Sequence, residues 1–195
     1  MTTNSSLILA STSIFRKQLL EKLGLAFTTD SPDIDETAKP GESPKGLVKR
    51  LSYEKAKCIA DKFDSGLVIG SDQVACVNDT IMGKPGNFDN ALKQLRSASG
   101  KAVYFFTGLT LFNAATKSSE TICEVYKVHF RTLNDEQIRR YLEKEQPYNC
   151  AGSFKSEGYG ISLFEKLEGD DPNALIGLPL IRLIQMLEKE GILIP

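Results

Sequence analysis

Short apolar runs alternate along the chain with stretches whose apolar residues recur every three or four positions, which predicts an α/β or α+β architecture and excludes a bundle or a sandwich. Leu7-Ile8-Leu9-Ala10 reads as a buried strand, and Ser13 as the cap of a helix with Phe15, Leu19, Leu20 and Leu23 at helical spacing up to Gly24. Phe27 to Ser31 reads as a second strand, followed by the acidic loop Asp33-Ile34-Asp35-Glu36 through Pro40-Gly41. Ser43-Pro44 has the form of a cap with proline at the first helical position, opening a helix to about Phe63 with the stripe Val48, Leu51, Ile59 and Phe63. Leu67 to Ser71 predicts a strand that places Asp72 at or just past its end, then a short strand to Val77 and a turn at Asn78-Asp79. Farther on, Asn87 to Ala98 and Asn134 to Glu145 read as helices, and Val103 to Phe112 with Thr121 to Phe130 as a strand pair. A glycine-rich stretch from Ala151 to Gly160, a strand at Ile161 to Phe164 and a helix from about Leu178 to Lys189 complete the pattern.

A chain of 195 residues without repeats or an obvious linker predicts one domain, 1–195, or two lobes around one sheet. Lys+Arg 24 against Asp+Glu 25 removes the basic excess expected of a binder of long nucleic acids, so an anionic partner is expected to be a small molecule. The single histidine, His129, excludes zinc sites needing two histidines and any two-histidine acid/base pair; chemistry has to come from carboxylates, lysines and arginines. Met1 to Leu9 has no basic n-region or long apolar run, and no window is long enough to span a bilayer, so a cytoplasmic protein without a membrane partner is expected. Cys58, Cys76, Cys123 and Cys150 form no Cys-x-x-Cys pair and are expected as four buried, reduced thiols.

Several segments carry candidate chemistry. Ala10-Ser11-Thr12-Ser13 fills a strand-to-helix turn with hydroxyls, and Arg16 follows within the first helical turn, an arrangement suited to phosphate. The same residues also fit a plain serine cap with a solvent-facing arginine. Lys55 falls in the apolar stripe of its helix, between Leu51 and Ile59, and either snorkels to water or reaches an anionic ligand. Arg50, Glu54 and Lys57 read as a solvated salt-bridge stripe. Asp72, after an apolar strand, can hold a metal, take a proton or simply close a turn. Lys84, between Gly83 and Pro85, and Glu36, on its acidic loop, are weak signals taken singly.

Taken together, Leu-Ile-Leu-Ala-Ser-Thr-Ser-x-x-Arg at 7–16, Asp35-Glu36, Glu54-Lys55-Ala56, Gly70-Ser71-Asp72, Gly83-Lys84-Pro85, Phe106-Thr107-Gly108 and Gly177-Leu178-Pro179-Leu180 resemble the Maf family of nucleoside triphosphate pyrophosphatases in order and spacing. The resemblance implies a Maf/ITPase-like α/β fold, with a long mixed central sheet and two lobes flanking a substrate cleft. It implies a homodimer that hydrolyses a nucleotide to monophosphate and pyrophosphate with a divalent cation, Mg²⁺ or Mn²⁺. By that pattern Asp72 is the proton acceptor, Glu36 and Asp72 are metal-site carboxylates, and Ser11, Arg16, Lys55 and Lys84 face the triphosphate. The commonest family pattern has arginine at position 15, threonine at 73 and glutamine at 157; here stand Phe15, Gln73 and Glu157. The trio resembles the branch with implied 7-methyl-GTP pyrophosphatase activity. An aromatic face suits the cationic N7-methylated ring, and a carboxylate suits the two donors of a guanine edge. A sibling specificity for dTTP and UTP, or a non-catalytic nucleotide-binding regulator of septum formation, is the alternative.

Overall fold

The computed structural model describes residues 6–78 and 80–194; Asp79 of the expected turn and the first five residues of the N-terminal segment lie outside the described residues. The strands are β1 (Leu7–Ala10), β2 (Phe27–Asp30), β3 (Leu67–Val77), β4 (Thr80–Met82), β5 (Ala102–Asn113), β6 (Ser119–Phe130) and β7 (Phe164–Glu168). Between them lie the helices α1 (Ile14–Glu21), α2 (Pro44–Ala60), α3 (Phe88–Ala98), α4 (Asp135–Glu145), α5 (Pro172–Ile176) and α6 (Leu180–Lys189). The strands form a seven-stranded mixed sheet in the order β2-β1-β3-β5-β6-β7, with β4 paired to β3. β1 runs parallel to β2 and β3, whereas the β3–β4 and β6–β7 pairs are antiparallel.

Two compact units divide the chain. The first comprises the residues up to Asp72, Thr107–Glu124 and the segment from Gly177 onward; the second comprises Gln73–Phe106 and Val125–Ile176. In the first, β1, α1 and β2 make the crossover needed to join two parallel strands. Ser13 caps α1, its side chain accepting from the Arg16 N–H at 3.4 Å, and Ser43 caps α2 from the Gly46 N–H at 3.1 Å. Ile8, Ala10, Ala56, Ile59, Val68 and Phe112 form an apolar cluster of this unit. The second unit is built on an aromatic core, with Phe154 in edge-to-face contact with Phe105, Phe130 and Phe164 at centroid distances of 5.2, 5.6 and 4.7 Å. There α3 and α4 bury Leu92, Leu95, Ile138 and Leu142.

Four expectations need correction. β3 does not end before Asp72 but runs unbroken for 11 residues, so Asp72 and Gln73 are strand residues. Their polar side chains are satisfied by tertiary partners, and the strand has no reason to stop. The long helix ends at Ala60, which leaves Phe63 outside it and 39% exposed. The expected strand at Ile161 is a 3-10 turn, Tyr159–Leu163, and β7 begins only at Phe164. The final helix starts at Leu180 behind Pro179, and the short α5 precedes it.

Candidate active site

Strand alternation decides which residues can meet. Gly70 and Asp72 are two apart on β3 and present the same face. A Cβ at Gly70 would lie 2.1 Å from the Ser52 carbonyl oxygen and 2.8 Å from the Ala56 nitrogen, so only glycine lets α2 sit this close to the strand. One turn along that closely seated helix, Lys55 reaches Asp72. Its Nζ donates to Asp72 Oδ1 at 2.6 Å and pairs with Glu36 Oε1 at 2.8 Å. Lys55 and Asp72 are 6% and 7% exposed, whereas the Glu36 side chain is 60% exposed. A buried lysine with two carboxylates on one ammonium is therefore no snorkelling residue.

Arg16 joins this group. Its Nε donates to the Gly177 carbonyl at 2.9 Å. Burial lowers its pKa from the ordinary arginine value, against the opposing pull of Asp72 and then Glu36. The arginine stays charged, and the solvent-facing alternative does not apply. Ser71, fully buried, has its hydroxyl 2.8 Å from the same Gly177 carbonyl and from that of Gly108. In the turn before α1, Ser11 is buried and its Oγ accepts from the Ser13 N–H at 3.1 Å, while Phe15 is half-buried. The first unit thus brings together Glu36, Lys55 and Asp72 with Arg16 in electrostatic reach of both carboxylates, while Ser11 and Phe15 lie in the turn and first helical turn that lead to Arg16.

The expected i,i+4 salt bridge of Arg50 with Glu54 is present, while Lys57 pairs with Asp61 instead, and Arg50 is in addition a clamp. Its Nε and Nη2 grip Glu42 at 2.7 and 2.8 Å, Nη1 donates to Glu54 at 2.9 Å, and Nη2 donates to the Thr37 carbonyl at 3.0 Å. Thr37 directly follows Glu36, so the guanidinium tethers the irregular acidic loop to α2 beside that carboxylate. Donation from Arg50 holds the Glu42 carboxyl down at about 2. Sequence periodicity marked Arg50 as polar but not as the anchor of a loop eight residues upstream.

Gln73, Lys84 and Glu157 belong to the second unit. Gln73 points to the strand face opposite Asp72, where its amide nitrogen donates to the carbonyls of Ala174 and Leu175 at 2.8 and 3.1 Å. Those carbonyls close α5, a helix too short to satisfy them itself. Lys84 and Glu157 are both exposed, and both lie close enough to Cys150 to bear on its thiol, which burial pushes up. The Glu157 carboxylate accepts from Ser156 Oγ at 3.2 Å. His129 pairs with Glu168 at 3.0 Å; the four cysteines are free, but only Cys76 is buried, and Cys58, Cys123 and Cys150 are half-buried rather than buried as expected. Among the described residues no helix is long and apolar enough to cross a membrane.

The fold is that of the Ham1 proteins. The structures from Staphylococcus aureus and Coxiella burnetii superpose with TM-scores of 0.53 and 0.51, covering 96% and 95% of this chain and 100% and 99% of theirs at 11% and 12% identity. Within that fold the chain belongs to the Maf-like protein family, whose model matches residues 6–190. Relatives of nearly the same length carry the name 7-methyl-GTP pyrophosphatase. That of Vibrio cholerae is 56% identical over 97% of this chain and 97% of its own, and that of Alcanivorax borkumensis 56% over 97% and 96%. That of Pseudoalteromonas translucida is 57% identical over 95% and 92%.

Proposed function

We propose that this protein is a nucleoside triphosphate pyrophosphatase that cleaves 7-methyl-GTP to 7-methyl-GMP and pyrophosphate. The observation that carries the chemistry is the convergence of Glu36 and Asp72 on the buried Lys55 ammonium, with the Arg16 guanidinium close enough to feel the charge of both carboxylates. The relatives named 7-methyl-GTP pyrophosphatase support the substrate. Only Oδ1 of Asp72 is engaged by Lys55, which leaves Oδ2 to take a proton from the attacking water. Arg16 and Lys55 offset charge on the phosphates, and the Ser11 turn offers backbone N–H groups and hydroxyls at the start of α1.

The donor set fits a divalent ion, Mg²⁺ or Mn²⁺. Glu36 and Asp72 already stabilise one shared cation, the Lys55 ammonium, and such ions take one or two carboxylates with waters and substrate phosphates completing the shell. Among the described residues no group of three or more His, Cys, Asp or Glu is placed to hold a metal ion by itself. Glu36 and Asp72 would hold it, and it would neutralise charge as pyrophosphate departs.

Phe15 is assigned to stacking on the cationic ring and Glu157 to the guanine edge; Gln73, Lys84 and Glu157 enter the site on the family resemblance. Gln73 acts in this reading through α5, which its amide holds. The reading takes residues 1–195 as one catalytic domain, homodimeric and cytoplasmic, as befits an enzyme of nucleotide triphosphates. Purified protein with Mg²⁺ should release pyrophosphate from 7-methyl-GTP about tenfold or more ahead of GTP, dTTP and UTP. Better turnover of dTTP would move the assignment to the sibling specificity, and nucleotide binding without turnover to a regulator.

A further inference from the structure

The loop that carries Glu157 has little secondary structure to fix it: residues 151–163 hold only two 3-10 turns with irregular chain between them. Yet both sides of Glu157 are fastened to one side chain at the end of α4. Glu145 Oε2 accepts from the Tyr159 N–H at 2.8 Å, and Glu145 Oε1 pairs with Lys155 Nζ at 3.1 Å. These two partners stand two residues after and two residues before Glu157. Between them Gly158 lies flush on the same carboxylate, where a Cβ would be 2.6 Å from Oε2. The Glu145 side chain is 12% exposed, so the pair is well shielded.

The rest of α4 reinforces the grip. Lys144 Nζ sits 3.9 Å from the centroid of the Tyr159 ring, and Tyr141 Oη accepts from the Lys155 N–H at 3.1 Å. Glu157 itself spends only a 3.2 Å contact with Ser156 Oγ and stays exposed, so its carboxylate is available to a ligand although its backbone is pinned. We propose that Glu145 is a positioning residue for substrate specificity: it staples the loop on both sides of Glu157 and thereby aims that carboxylate. The proposal rests on the reading of Glu157 as the reader of the purine edge.

The test compares Glu145→Ala, Glu145→Gln and Gly158→Ala with the unmodified enzyme by amide hydrogen exchange and by kinetics on 7-methyl-GTP and GTP. Glu145→Ala should speed exchange of the Tyr159 amide at least about tenfold, because its acceptor is gone. It should cut the 7-methyl-GTP to GTP preference by about tenfold, through KM more than kcat. Glu145→Gln keeps an acceptor for Tyr159 and loses the Lys155 pair, so it should restore slow Tyr159 exchange but recover only part of the preference. Gly158→Ala, which intrudes on the carboxylate, should behave like Glu145→Ala. If Glu145→Ala melts normally with either Tyr159 exchange or the substrate preference unchanged, the staple as a specificity device is refuted. If the unmodified enzyme shows no preference for 7-methyl-GTP, the substrate reading fails instead, and the staple is decided by exchange and by the preference the enzyme does display.

Discussion

Replacing Gly70 by alanine adds one methyl group at the place where α2 and β3 touch. The new Cβ would sit 2.1 Å from the Ser52 carbonyl oxygen, 2.8 Å from the Ala56 nitrogen and 2.9 Å from the Ala56 Cβ. An ordinary carbon–oxygen contact is about 3.3 Å, so the helix has to recede by about 1 Å. The first two obstacles are backbone atoms, and no rotamer change relieves them. Overpacking a tight core costs about 1–3 kcal/mol, and a backbone clash belongs at the upper end. At about 3 kcal/mol, with about 2–4 °C per kcal/mol for a chain of this size, Tm should fall by roughly 6–12 °C. The same retreat would stretch the 2.6 Å Lys55–Asp72 contact beyond hydrogen-bonding distance, and a misplacement of about 1 Å at a catalytic centre costs on the order of 100-fold in rate. Thermal denaturation followed by circular dichroism, with pyrophosphate release on the refolded protein, measures both. A Gly70→Ala protein with Tm and turnover close to the parent's would show that the seating of α2 does not place Lys55.

Three further outcomes follow from the same geometry. Asp72→Asn should lower kcat by about 10²- to 10⁴-fold with little change in KM; near-normal kcat would mean that another group accepts the proton. Arg50→Lys, which loses the forked grip on Glu42 and Thr37, should raise the Mg²⁺ concentration for half-maximal activity by about tenfold, and direct Mn²⁺ titration by spin resonance should move with it. Arg50 holds the Glu42 carboxyl at about 2 against an ordinary 4.5. Its contribution to stability is then complete above the ordinary value and disappears as pH falls through about 2. Wild-type stability should decline more steeply with acid over that window than that of Glu42→Gln; parallel acid curves would argue against the clamp.

The sequence carried the local features of the site and little of their assembly. Capping serines, the buried run of β1 and the apolar stripe around Lys55 were legible because they depend on neighbours three or four residues away. Asp72 was legible as chemistry but misplaced as a strand end, since a polar pair after an apolar run looks like a turn unless its distant partners are known. Those partners are Lys55, 17 residues away, and the α5 carbonyls, 101 and 102 residues away. Arg50 and Glu145 escaped for the same reason. Each has unremarkable i,i+4 surroundings, and its role appears only once an irregular loop folds back onto it. The resemblance supplied the roles of Lys84 and Glu157, which isolated spacing could not.

The Gly177 carbonyl serves two donors, Arg16 Nε at 2.9 Å and Ser71 Oγ at 2.8 Å, from segments near the start and the middle of the first unit. A carbonyl has two lone pairs, and here both are spoken for. A chain terminated at residue 176 would therefore lose more than a C-terminal helix. It would leave a guanidinium without its anchor and deprive Ser71 of one of its two acceptors, in the sequence stretches that carry Arg16 and Asp72. Nonsense alleles that spare every candidate catalytic side chain should still score as nulls, and the shortest tolerated truncation should fall well downstream of Gly177.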